Sequence, residues 1–467
     1  MSYASLSLAY LATLRWLFVA AVALAVIPNG SVDPTFFYAN CVTFGLLLAL
    51  CAFIRVDNRR LKGLVGLGFS LILMICVYAG IQSMSLTDHP FANPAWSDVA
   101  ALGLTDRGAI SVAPGETIAA LPSLVVPLLA LMLGLILHQD DHAARALWNR
   151  LAIMGGILAL IALVRHEFFA DAHLFGTRPR WDGALSGHFF NRNLTAAFFA
   201  LASFATLGMV LMHVAQMRWS SIVQRLAGLQ FFGERKYIYA AAGGVFFLAS
   251  LIALFLTQSR AGTLLTMGIL ALCILVIAIS HPRSQSKQGT SLRVAGPSKR
   301  WLLVAAITAA CVVVFFTFGG RTIVRMDQAG FDIQRLCAAR GTWAAIRDFP
   351  VFGTGFATFK DVFPIYRPAD CSPVGVWSQA HNSWLEGYLG FGLPFAVFIA
   401  LGSWAFVRTV VYGFRVRRRL RSIPVLTVGC MTYIALHSMV DFPIQITGIA
   451  VYFSAMVAAG FAISLAR

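Results

Sequence analysis

Four polar clusters in an otherwise apolar chain hold the residues able to do chemistry. The first is Gln379–Pro394, where His381 is followed by Asn382 and Glu386 just ahead of an apolar run. A histidine at such a border serves either as a base, because neutral imidazole is available near physiological pH, or as an interfacial cap. The second cluster, Thr257-Gln-Ser-Arg-Ala-Gly-Thr263, interrupts two apolar stretches with almost no loop. Arg260 therefore sits at a membrane interface, where a guanidinium must snorkel, pair or meet an anion. Its fork of donors suits phosphate oxygens; a plain anchor is the other reading. The third, Ser186-Gly-His-Phe-Phe-Asn-Arg-Asn-Leu-Thr195, leads His188, Asn191, Arg192 and Asn193 directly into an apolar run. Asn193 or Thr195 is placed to cap that helix, and a helix N-terminus beside Arg192 makes an anion site. The fourth is His437-Ser-Met-Val-Asp441, whose i, i+4 spacing puts His437 and Asp441 on one helix face. Asp441 is placed to orient a histidine by accepting its ring proton, or to form a local capping pair. Arg340 and Arg347, seven apart, share a helix face, and Arg347 reads as solvated. The sequence has no CxxC, HExxH, Asp-x-Asp, Walker lysine or GxGxxG pattern. No metal ligand and no cofactor is expected.

The elements that must position these clusters are membrane helices. Hydrophobic residues make up 59% of the chain and charged residues 12%, against about 25% charged in soluble domains. Apolar runs approach the length of about 20 residues that crosses a bilayer. Twelve are read: Leu11–Ile27, Phe36–Ile54, Leu64–Ile81, Ala120–Leu137, Leu151–Val164, Leu194–His213, Ile238–Leu256, Ala261–Ser280, Trp301–Phe318, Ser383–Val407, Val425–Val440 and Ile444–Leu465. The first is continuous in character with the rest and does not read as a cleaved signal peptide. The expected fold is all-α: a polytopic integral membrane protein of about twelve transmembrane helices, with a large, partly helical outer loop, Gly319–Ala380, between the ninth and tenth. Within that loop the spacing predicts a helix over Asp332–Phe349 with Leu336, Ala339, Trp343 and Ile346 on one face. Pro350 ends it, and Gly353-Thr-Gly355 forms a turn.

The net charge of +17 does not mark a nucleic-acid protein. With the N-terminus in the cytoplasm and sides alternating, the cytoplasmic segments take most of the 36 Lys and Arg but few of the 19 Asp and Glu. This asymmetry is the topology signal of a multi-pass membrane protein. The basic stretches are Arg55–Lys62, His281–Arg300 and Arg415–Arg421, and Ser284–Lys299 reads as a flexible linker. Polar mass gathers on the opposite, outer face, which is therefore the candidate active face. A lipid-linked sugar transporter is the competing class, but it needs ionisable groups inside the bundle, and the middles of these spans are nearly free of charge. Six of the eight cysteines lie in spans. Cys337 and Cys371 share the large loop, where an oxidising compartment permits a disulfide; spacing alone leaves the pairing open.

Taken in order, these motifs resemble the O-antigen ligase and O-antigen polymerase superfamily. The resemblance is carried by Gly-His-Phe-Phe-Asn-Arg-Asn193, Ser-Arg-Ala-Gly262, Asp-Phe-Pro-Val-Phe-Gly-Thr-Gly355, Ala-His-Asn-Ser-Trp-Leu-Glu386 and His-Ser-Met-Val-Asp-Phe442. It divides the chain into an N-terminal helical bundle, 1–186, and a ligase/polymerase-like catalytic membrane region, 187–467. It implies a bacterial inner-membrane glycosyltransferase whose periplasmic face moves a glycan from an undecaprenyl-diphosphate carrier to an acceptor sugar hydroxyl. The acceptor is lipid A–core for a ligase and a growing polymer for an O-antigen or exopolysaccharide polymerase; the shared motifs leave both open. By the same resemblance His381 is the general base and Arg260 and Arg340 hold the diphosphate, with Arg192 beside them. Asn191, Asn193, Asn382, Glu386, His437 and Asp441 support the site.

Overall fold

A computed structural model describes residues 3–87, 89–169, 183–189, 191–217, 234–280, 299–320, 333–371, 375–416 and 421–466. The linker read at 284–298 lies outside the described residues, as do 321–332 and 372–374 of the large loop. Among the described residues the secondary structure is almost all helical, with one two-residue antiparallel strand pair, Leu86–Thr87 against Arg107–Gly108. The helices are α1 (Tyr3–Val26), α2 (Pro34–Cys51), α3 (Arg59–Ser83), α4 (Ala95–Ala101), α5 (Pro114–Ala120), α6 (Pro122–Leu137), α7 (Asp141–Phe168), α8 (Arg192–Val214), α9 (Arg235–Leu256) and α10 (Arg260–Ile279). They continue with α11 (Lys299–Phe318), α12 (Ile333–Asp348), α13 (Phe359–Tyr366), α14 (Ser383–Phe391), α15 (Leu393–Val416), α16 (Ser422–His437) and α17 (Thr447–Leu465).

Among the described residues, ten stretches are long and apolar enough to cross a membrane, α5 and α6 counting as one, and α11 and α16 add two shorter apolar helices. This is the all-α, multi-pass architecture expected. At 16 residues, α16 spans only about 24 Å, short of the roughly 30 Å hydrocarbon core. Its C-terminal end therefore leaves the polar turn that follows it within reach of the bilayer boundary.

The bundle closes around α8 and α17, which are buried along nearly their whole lengths. Both are rich in Ala, Gly, Ser and Thr, the small residues that let membrane helices approach closely. Polar ties pin the apolar interior: Trp148 Nε1 donates to Ala205 O at 2.8 Å and Tyr452 Oη to Leu151 O at 2.9 Å. In hydrocarbon such groups would otherwise go unpaired at a cost.

Several boundaries differ from the sequence reading for physical reasons. The expected single span Ser383–Val407 is broken at Gly392 (φ 64°), which separates the short α14 from α15. The break is enforced by packing: a Cβ on Gly392 would lie 2.4 Å from Val351 O, and one on Gly353 2.5 Å from Gly390 O. The span read as Leu151–Val164 begins earlier, at Asp141, because Asp140 caps it by accepting from Ala143 N at 2.8 Å. The last span starts at Thr447 after a 3₁₀ turn, Pro443–Gln445, rather than at Ile444.

The loop helix α12 forms where expected but buries a different face. Leu336 and Trp343 are each 52% exposed, whereas Cys337, Ala338, Thr342, Ala345 and Ile346 are buried. Ala338, Ala345 and Ile346 form a small core with Phe359, Val362 and Phe363 of α13 and with Ala380 and Leu389. Small side chains win this face because the neighbour comes too close for large ones: a Cβ on Gly341 would lie 2.7 Å from Tyr366 O. The same face carries the disulfide Cys337–Cys371, with Cα atoms 5.8 Å apart. It closes a loop of 34 residues, worth about 3–4 kcal/mol of chain entropy. Cys337→Ser is therefore expected to loosen the α12–α13 unit while the apolar spans persist. Faster proteolysis of the loop with unchanged membrane insertion is the readout.

Candidate functional site

The polar cluster is built where four helix ends meet. Asn191 caps α8 by accepting from Asn193 N at 2.8 Å. The cap is thus neither Asn193 nor Thr195; Thr195 Oγ1 turns back to Ser186 O. This frees the Asn193 amide, whose Nδ2 donates to Asp441 Oδ2 at 2.8 Å. Asn382 caps α14, its Oδ1 accepting from Trp384 N and Leu385 N, both at 3.1 Å. The start of α14 is then tied to the turn after α16: Ser383 N donates to Ser438 O at 2.8 Å and Trp384 Nε1 to Ala435 O at 2.9 Å.

His381 stands between the loop and this cap with φ 50°. The left-handed region is sparsely populated for residues with a Cβ, though Asn, Asp and His enter it more readily than others. The strained turn points the ring toward Asp441, with Nδ1 3.5 Å from Oδ1. That separation exceeds a good hydrogen bond but keeps the ring nitrogen against the carboxylate. Nδ1 is closed off from solvent there, while the side chain as a whole remains 33% exposed, so Nε2 is the ring nitrogen left for a reactant. Phe442 packs edge-on at 5.1 Å between ring centroids.

Asp441 is the hub. Its side chain is 1% exposed. Oδ1 accepts from Phe442 N at 3.0 Å, and Oδ2 accepts from Asn193 and from Arg335 Nη2 at 3.1 Å. Arg335 also donates to Val440 O at 2.7 Å. Burial alone would raise the carboxyl's pKa. The contact with His381 and the charges of Arg335 and His437 outweigh it, holding the group below its ordinary value of 3.8. His437 is buried, and its Nδ1 faces Tyr433 Oη at 3.0 Å; the histidine that Asp441 faces at the shortest range is His381. Glu386 lies behind this pair. Its Oε2 accepts from Ala380 N at 2.9 Å, and burial pushes its carboxyl up to about 7.

Arginines start two of the helices that pack beside the cluster. Arg192 and Arg260 are the first residues of α8 and α10, and both are partly buried. The two helix starts touch: a Cβ on Gly262 would lie 2.7 Å from the Cβ of Ala196. Arg260 is thus brought to the helix end from which Asn193 reaches Asp441. Arg340 takes a different place. It is ion-paired with Asp370 at the surface and contacts Cys337 Sγ at 3.6 Å. Arg347 is exposed. The cation that reaches Asp441 is Arg335, which the sequence reading did not single out.

The N-terminal helices brace the same end. Gln82, at the end of α3, donates through Nε2 to Phe352 O at 2.7 Å and Gly390 O at 2.8 Å. Among the described residues, the one close trio of possible metal-ligand atoms is Cys337, Asp370 and Cys371, and the disulfide occupies both sulfurs.

Fold and site together define a multi-pass membrane protein with a histidine–carboxylate pair and arginines gathered at one end of its bundle. Residues 245–400 match the O-antigen ligase family, so the chain carries an O-antigen ligase-type domain. That stretch includes Arg260, Arg335, Arg340, His381 and Glu386; Asn193 and Asp441 lie on either side of it. No curated protein matches the chain. The match supports a function of the O-antigen ligase/polymerase type, in polysaccharide biosynthesis.

Proposed function

We propose that the protein transfers a glycan from an undecaprenyl-diphosphate carrier to a sugar hydroxyl, at the periplasmic face of the inner membrane, with the N-terminus cytoplasmic. The acceptor hydroxyl gives its proton to His381 Nε2 while its oxygen attacks the anomeric carbon. The new C–O bond forms as the bond to the diphosphate oxygen breaks, and the carrier diphosphate leaves with the electron pair. A single displacement of this kind inverts the anomeric centre. The leaving group is already activated, so the step consumes no nucleotide.

The observation that carries this reading is the His381–Asp441 pair: Nδ1 is held against a buried carboxylate, on a side chain that remains 33% exposed. Asp441 fixes the ring and stabilises the imidazolium that forms when the proton arrives. Arg260 and Arg192 face the departing diphosphate, where fixed cations stabilise developing charge. Arg340 joins them by exchanging Asp370 for phosphate, and the exposure of that pair, 50% and 60%, makes the exchange inexpensive.

The test is loss of the gene followed by analysis of the cell's surface glycan. A polymer that accumulates on its carrier, unattached to lipid A–core, marks the ligase. Attached glycan limited to one repeat marks the polymerase. Complementation with Arg260→Lys, which keeps charge but not the fork, is expected to restore at most a tenth of the transfer. An unaltered surface glycan in the deletion strain rejects the assignment.

A further inference from the structure

The opposite end of the bundle holds a feature that glycan transfer does not use. Helices α2 and α3 are joined by residues 52–58 and both pack on α6, yet they scarcely touch each other. Between them lies an open cavity of about 1160 Å³, larger than the roughly 300–1,000 Å³ of small-molecule pockets. Its walls are apolar, with Phe69 and Ile136 among them. Gly45 on α2 and Gly66 on α3 leave it wide, since a Cβ at either would meet nothing within 4 Å.

Three cations, Arg55, Arg59 and Lys62, line the same cavity with one acidic residue, Asp57. All are exposed, and the three basic side chains have no ion-pair partner among the described residues. The loop that presents them is fixed from both sides. Gln139 donates to Arg55 O at 2.8 Å and accepts from Asp57 N at 3.2 Å. Asn58 caps α3, accepting from Arg60 N at 3.0 Å, and donates to Leu465 O at 3.1 Å. The far end of α3 is the end braced against Gly390, so this cavity lies at the other end of α3 from His381.

We propose that this cavity binds one anionic phospholipid, acyl chains between α2 and α3 and phosphate against Arg55, Arg59 and Lys62. A soluble anion leaves the apolar walls uncovered, and a zwitterionic lipid leaves the positive mouth unbalanced. A phospholipid with net negative charge satisfies both, as basic pockets between membrane helices do for acidic headgroups.

The test uses the delipidated full-length protein in neutral detergent, titrated with phosphatidylglycerol and with phosphatidylethanolamine of the same acyl chains, and read by native mass spectrometry. Wild type is expected to bind the anionic lipid at least tenfold more tightly. R55Q/R59Q/K62Q should reduce that preference to within threefold. G45L/G66L fills the groove with the charges in place and should weaken phosphatidylglycerol at least tenfold. Equal affinity of wild type for the two lipids overturns the proposal, as does a preference that survives the triple substitution. Full displacement of phosphatidylglycerol by glycerol phosphate would also overturn it, by marking a site for soluble anions. Should G45L/G66L fail to fold, the wild-type comparison and the charge variant decide the matter alone.

Discussion

Asp441→Asn is expected to lower stability by about 2–4 kcal/mol and glycan transfer by about 10²–10⁴-fold. The first figure follows from what the carboxylate holds. It accepts from Asn193, Arg335 and Phe442 N while 1% exposed, and hydrogen bonds to a charged group contribute about 1.5–3 kcal/mol each. An asparagine keeps one acceptor oxygen but turns an NH₂ group toward donors. The loss stays below the sum of three bonds because Arg335 is 30% exposed and water takes over part of its solvation. The second figure follows from the histidine: without the anion, Nδ1 has nothing to fix its proton, and an orienting carboxylate in a comparable His–Asp arrangement is worth up to about 10⁴.

The pH dependence gives the sign independently. The folded pKa of Asp441 lies below 3.8, so the group's stabilisation is complete above that value and is lost as pH falls through the folded pKa. The wild-type advantage over Asp441→Asn should therefore shrink in acid and stay constant from pH 6 to 8, measured by thermal unfolding in detergent. A double-mutant cycle with Arg335→Gln is expected to show coupling of about 1 kcal/mol or more. Additive losses would mean that the contact between the two does not hold the turn together.

The membrane helices were legible because a bilayer demands long apolar runs, and composition alone reports them. The break at Gly392 was not legible: Gly-Leu-Pro reads as apolar continuation, and the cause is the approach of Val351 and Gly353 from elsewhere in the chain. Asp441 was legible as a residue but its contact was ambiguous. Its i, i+4 spacing to His437 suggested a shared helix face, yet α16 ends at His437. Past the last helical residue that periodicity no longer governs direction, and the carboxylate turns to His381 instead. Arg335 was invisible because its contact with Asp441 crosses 106 residues of sequence and no local pattern announces it. The exposed Leu336 and Trp343 on α12 mislead for a related reason: bulk and periodicity suggest a core face, but the disulfide and the close pass of Tyr366 select small residues.

Substitution of His381 separates base from turn. His381→Ala removes the imidazole and also places an ordinary L-residue at φ 50°, at a cost of about 1–2 kcal/mol. A drop in transfer by this variant alone is thus open to a structural explanation. His381→Asn is the sharper experiment, because asparagine enters the left-handed region readily and should preserve the turn, the Asn382 cap and the thermal midpoint. Its side chain has no basic nitrogen, so transfer is expected to fall by about 10²–10⁴-fold, the range of general-base assistance. Near-normal turnover by His381→Asn would return His381 to the role of a turn residue and leave Glu386 as the candidate base, since its carboxyl, pushed up to about 7, changes protonation near neutrality. Glu386→Gln supplies the second arm. If His381 takes the acceptor proton, this variant keeps most of its turnover; if Glu386 does, it is the one that fails. Added imidazole then distinguishes the cases once more, restoring transfer to His381→Ala in part and to Glu386→Gln not at all, because only the first variant vacates a space shaped to the ring and bounded by Asp441 and Phe442.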